Sequence, residues 1–152
     1  MNRWVKGVLI AVGGLFGAFL ILAFALQVPA VGQTIGSPAA CSTCHVMEDQ
    51  VLSLERGTHR SLACVQCHTP SGFFAKPIEE IKSASRHAAV FLTNSTPDVI
   101  KPTHESREII QAQCAECHAG WLRANSAADH QPDGLMCFEC HRDVAHGRPL
   151  RN

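Results

Sequence analysis

The chain has 152 residues, and its eight cysteines fall into four pairs, each Cys-x-x-Cys followed at once by His. The copies are Cys41/Cys44/His45, Cys64/Cys67/His68, Cys114/Cys117/His118 and Cys137/Cys140/His141, and no cysteine is left over. Two thiols at this spacing form thioethers with the vinyl groups of a porphyrin, and the adjacent imidazole is placed to reach the iron. The pattern is the attachment site of a c-type haem. Structural zinc would group its ligands in fours, with no need of a His after each pair. Disulfides would need no His at all. Four complete copies therefore point to four covalently bound haem c groups.

A low-spin six-coordinate haem takes two axial ligands, and the motif histidines provide one each. The remaining donors are His59, His87, His104, His130 and His146, with Met47 two positions after His45. His104 precedes a predicted helix and is expected to be a bystander near its N-terminus. A methionine ligand raises a haem's potential relative to histidine, which suits an electron acceptor.

The elements that position these groups are short. The motifs start at 41, 64, 114 and 137, so the spacings are 23, 50 and 23. Equal outer spacings suggest two dihaem units, about 41–68 and 114–141. His59 and His130 stand shortly before the second motif of each unit, as counterparts. The pattern predicts helices over Met47–Arg56, ending near Gly57, over Ile78–Leu92 with Pro77 at its start, and over Glu105–His118. Residues 94–102 and 126–134 read as loops. No alternating pattern calls for a strand, so the fold class is mainly α.

Gly7 to Leu26 is a run of 20 residues without a charged or strongly polar side chain. That is enough for one bilayer crossing at about 1.5 Å per residue. Arg3 and Lys6 precede it, with Trp4 at interface depth, so the N-terminus is expected in the cytoplasm and the rest outside. A cleaved signal peptide is the competing reading, but the run exceeds the usual apolar stretch of about 7–15 residues. Gly13-x-x-x-Gly17 matches a helix-packing spacing. The expected organisation is an anchor over 1–28, a Gly/Pro/Ser/Ala-rich linker over 29–40 and a tetrahaem domain over 41–152.

With no Tyr and two Trp, that domain is poor in bulky apolar residues. A protein core alone would be marginal at this size, so haem is expected to fill the interior. Acidic and basic residues balance at 13 each. No basic stripe argues for nucleic acid.

The single apolar span, Cys41-x-x-Cys44-His45-x-Met47, Gly57-x-His59 before the second motif and Cys140-His141-(x)4-His146-Gly147 together resemble the NapC/NirT family. The short length and Met47 are most similar to its members that form the small subunit of cytochrome c nitrite reductase. The resemblance runs over essentially the whole chain. It implies a membrane-anchored tetrahaem quinol dehydrogenase that takes electrons from quinol, menaquinol by analogy. It implies delivery to a periplasmic multihaem catalytic subunit, most often nitrite reductase, with donation to a nitrate or N-oxide reductase as the alternative. No Cys-x-x-Cys-Lys is present, so the chain is not the terminal reductase. A membrane haem sensor is the reading from another class, and it would not need four centres in a row.

Carried over by residue, the resemblance implies Met47 as ligand of the first haem in place of His45. It implies His146 opposite His68 on the second, and His59 opposite His118 on the third. His141 holds the fourth, with a partner lysine or His130 completing it. Near the quinol site the sequence departs from the family pattern: His87 stands where an Asp is found, and Glu80 falls at the position of a Lys, with Lys76 and Lys82 nearby. His87 is then either the base for the quinol proton or a ligand of the first haem, and Glu79, Glu80, Lys76 and Lys82 complete the candidate set.

Overall fold

The structure, a computed structural model, describes residues 2–125 and 134–146. His130 lies outside them. Among the described residues the regular structure is helical, with no strand.

Helix α1, Arg3–Gln27, begins the chain. At about 1.5 Å per residue its 25 residues reach about 37 Å, longer than the hydrocarbon thickness of about 30 Å. Its segment Arg3–Ala25 is long and apolar enough to cross a membrane and is almost wholly exposed. Its residues up to Phe16 are open, and those partly or fully covered, Gly17, Phe19, Ala23 and Ala25, lie in the second half. That half is where the rest of the chain packs against it.

The stretch read as a linker is helical instead: α2 spans Pro29–Ile35 and α3 Pro38–Cys41. The composition misled because proline at a first helical position is pre-set for a helix, and both helices begin at one. Ser37 caps α3 by accepting a hydrogen bond from the Ala40 N–H at 3.1 Å. This cap delivers Cys41 at the end of a turn rather than at the end of a tether.

A 3₁₀ turn over His45–Met47 leads into α4, Glu48–Glu55. Helix α5, Val65–His68, carries the second motif. Helix α6, Ala75–Leu92, starts three residues before the predicted boundary. It stops at Asn94, whose positive φ of 49° is the left-handed closing position that Asn tolerates. Helix α7, Thr103-capped, runs His104–Cys117, followed by α8, Ala119–Ala124, and α9, Cys137–Cys140. The loop over 93–103 agrees with the sequence expectation, while 126–133 lie outside the described residues.

Helices α5 and α9 both pack on α7, so the third motif sits between the second and the fourth. Helix α6 packs on α1. The buried apolar side chains among the described residues are few: Ala23, Val51, Leu54 and Pro77.

Candidate haem centres

All eight cysteines are free thiols, and they meet across motifs rather than within disulfides. The Cys41 and Cys64 thiols are hydrogen-bonded to each other. This lowers the Cys41 pKa to about 7 and raises that of Cys64. Cys67 lies near Cys117, and Cys114 near Cys137 and Cys67; desolvation first, then these neighbours, raise the pKa of Cys67 and Cys114. The order of contact is the order of the chain: first motif to second, second to third, third to fourth.

The imidazoles come together in two pairs. The rings of His59 and His118 have centroids 6.1 Å apart, and so do those of His68 and His146. Two imidazoles bonded to one metal ion at about 2.0–2.1 Å each have ring centres about 6 Å apart. The spacing of both pairs is therefore that of two ligands on one iron. His59 donates from Nδ1 to the Val144 carbonyl at 2.9 Å, and His146 donates from Nδ1 to the Gln50 carbonyl at 3.1 Å. In each ring this fixes the tautomer and leaves Nε2 as the donor atom for a metal. His68 keeps part of its ring at the surface, yet desolvation by the surrounding chain, then the neighbouring His146 and His87, lower its pKa. Those influences favour the neutral imidazole that ligates metal.

Neighbouring groups whose supporting role the sequence analysis did not assign hold these rings. Gly57 lies against the 144–145 backbone: a Cβ there would stand 2.9 Å from the Ala145 carbonyl oxygen and 3.2 Å from that of Val144. Only glycine lets the C-terminal segment lie this close to the turn before His59. Thr58 Oγ1 donates to the same Val144 carbonyl at 3.2 Å, and Ser53 Oγ lies 3.3 Å from His146 Nδ1. Backbone carbonyls leave no mark in a sequence; Gly57 beside Thr58-His59 was the one available sign.

The fourth motif is fastened to α7 by one stripe at i, i+4, i+7: Arg107, Gln111, Cys114. Arg107 pairs with Glu139 at 2.5 Å and lies 5.4 Å over the Phe138 ring. The Gln111 side chain accepts from the Cys137 N–H at 2.7 Å and donates to its sulfur at 3.2 Å. The Met136 backbone N–H, then Arg107, lower the pKa of Glu139. Ser71, after the second motif, donates to Glu116 on α7 at 2.5 Å.

Met47 is half-buried at the end of the 3₁₀ turn, and His45 and His141 are exposed. His104 is exposed as the first residue of α7 and pairs with Glu108 at 3.5 Å. On α6, Lys76, Glu80, Ser83 and His87 follow one another at i, i+4, i+7, i+11 and share a face. Lys76 lies 4.0 Å from Glu80. One oxygen of Glu80 is buried without a hydrogen-bond partner, and desolvation raises its pKa, with Lys76 opposing. Lys82 is on another side of α6, paired with Glu79 at 3.2 Å and with Glu105 of α7 at 2.5 Å. It joins two helices there.

A mainly helical chain with four haem-attachment motifs in line and one N-terminal helix long and apolar enough to cross a membrane has the features of a c-type cytochrome. Residues 1–151 match the NapC/NirT cytochrome c family, N-terminal region, and the chain belongs to that family. It is 31% identical over 143 residues to the cytochrome c-type protein NrfH of Wolinella succinogenes, covering 87% of this chain and 80% of that one. It is 28% identical over 109 residues to the cytochrome c nitrite reductase subunit NrfH of Nitratidesulfovibrio vulgaris, covering 71% of this chain and 66% of that one. The fold is similar to a chain of the cytochrome c nitrite reductase NrfHA complex bound to the inhibitor HQNO. The TM-score is 0.71 at 24% identity, over 95% of this chain and 93% of that one.

Proposed function

We propose that this chain is the membrane-anchored quinol dehydrogenase subunit of an ammonia-forming cytochrome c nitrite reductase. It oxidises quinol, menaquinol by analogy, and supplies a separate multihaem catalytic subunit. One coincidence carries the reading. A membrane-length helix and four haem motifs lying in chain order occur in a sequence whose relatives, matched over most of its length, are named NrfH.

The four cysteine pairs hold four haem c groups. His68 and His146 ligate the second, and His118 and His59 the third; the 6.1 Å ring spacings support both assignments. Met47 serves the first. His141 serves the fourth, whose other ligand comes from the catalytic subunit as a lysine. Bound haem iron supplies reversible one-electron chemistry.

Oxidation of a quinol releases two electrons and two protons, so the site needs proton acceptors. Glu80 and His87 fill that role from one face of α6. The carboxyl of Glu80 is shifted toward neutral pH by desolvation, which suits a general base. Lys76 steadies the charge after the proton leaves for solvent. Lys82, held by Glu79 and Glu105, positions α6 rather than touching quinol. Arg3 and Lys6 keep the N-terminus in the cytoplasm, which leaves the haem domain on the periplasmic side.

The test is reconstitution of the haem-loaded chain in liposomes with a membrane-soluble naphthoquinol and a multihaem nitrite reductase. Ammonia formation is expected only when both proteins are present. Haems reduced by quinol but oxidised solely by a nitrate or N-oxide reductase would overturn the assignment of the partner.

A further inference from the structure

Helix α6 is amphipathic in the wrong sense for a water-soluble domain. At 100° per residue its polar stripe, Lys76, Glu80, Ser83 and His87, is centred opposite an apolar one that runs Phe74, Ile78, Ile81, Ala88 and Leu92. In a soluble fold the apolar stripe turns to the core. Here Phe74 is 61% exposed, Ile78 53% and Leu92 81%, with Ile81 partly covered, while Lys76, Glu80 and Ser83 are partly covered and His87 is exposed. Two observations say what meets the outward stripe. Helix α6 packs on α1, whose covered residues all lie in the second half of the candidate span. Helix α6, with its exposed apolar side chains, therefore lies against the end of the segment that is long and apolar enough to cross a membrane. Arg86, exposed on the flank next to the apolar stripe, places a cation where headgroup phosphates lie.

We infer that α6 is a second membrane element, lying in the interface with Phe74, Ile78, Ala88 and Leu92 in the lipid and with Lys76, Glu80 and Ser83 turned to the haem domain. This rests on the proposed function insofar as α1 is in the membrane. It deepens that reading by giving the quinol a route. A helix lying at the lipid boundary with the proton acceptor Glu80 on its covered face lets a lipid-dissolved substrate approach without crossing water. Helix α6 is 18 residues long, about 27 Å, enough to cover the mouth of such a site.

The test places the full haem-loaded chain in liposomes of phosphatidylethanolamine and phosphatidylglycerol with a lipid-soluble, light-activated carbene probe, and maps the label by peptide mass spectrometry. Label on Phe74, Ile78 and Leu92 is expected at a level within about threefold of that on Leu9 and Phe16 of α1. In Ile78→Glu, label on Phe74 and Ala88 should fall at least about fivefold while label on α1 is unchanged, with the haem spectrum confirming folding. Labelling of α1 without labelling of α6 overturns the inference and leaves the quinol dehydrogenase reading standing. Label on α6 that disappears when the catalytic subunit is added also overturns it, because the stripe is then a protein interface. No label on either helix means that the membrane reading itself fails.

Discussion

A histidine that serves a metal through one ring nitrogen needs the other held still. His59 and His146 meet that condition through the carbonyls of Val144 and Gln50. His59→Ala and His146→Ala are each expected to keep four attached haems and to turn one haem from low spin to high spin. Electron paramagnetic resonance reads the change; an unaltered low-spin spectrum in both variants would remove these residues from the iron. Their placement around the Cys-x-x-Cys-His motifs and the family pattern single out His59 and His146, and the structure sets their rings 6.1 Å from those of His118 and His68. Their supports were not legible in the sequence, because a backbone carbonyl has no residue type. At Glu80 the folded carboxyl titrates above its ordinary range, chiefly through desolvation. The folded chain therefore holds a proton that the unfolded chain has released, and stability falls as pH rises from the ordinary carboxylate range through the raised one. Glu80→Gln is expected to gain about 1 kcal/mol of stability at neutral pH, with the gain shrinking on acidification. Calorimetry showing a gain that grows toward low pH would contradict this.

Among the elements, α7 is the frame on which the motifs are mounted. Arg107 and Gln111 hold the fourth, Cys114 and Cys117 are the third, and Glu116 reaches the loop behind the second. The helix itself was legible from its spacing; the cap ahead of it, Thr103, whose hydroxyl accepts from the Ser106 N–H at 3.2 Å, was not singled out. The inter-element bonds were not legible, since a Gln on a helix surface looks the same whether it is solvated or bound to a distant backbone. The helices within 29–40 were not legible for a different reason. Proline, glycine and serine mark turns by frequency, yet proline at the first helical position and serine at a cap start helices. Gly57 joins two elements, the turn after α4 and the C-terminal segment. Gly57→Ala is expected to push away the 144–145 backbone and disturb His59 and His146 together. Two haems should then show altered ligation in place of one; a variant spectrum equal to wild type would show that the segment yields without cost.

At the scale of the molecule, the polypeptide wraps more than it packs. The few buried apolar side chains among the described residues could not hold a domain of this size by themselves. That shortage was visible in composition, as was the class of the fold, because haem motifs and a membrane-length run are local signals. The partial cover of Lys76, Glu80 and Ser83 on α6 needed three dimensions: periodicity marks an amphipathic helix, and only the fold shows which of its side chains are covered. The most direct measurement is purification of the chain from membranes in mild detergent, with haem staining and mass spectrometry of whatever accompanies it. A large multihaem c-type subunit that reduces nitrite to ammonia is the expected companion. A molybdenum-containing partner, or a chain that purifies alone and still passes quinol electrons to several reductases, would contradict the assignment to nitrite reduction.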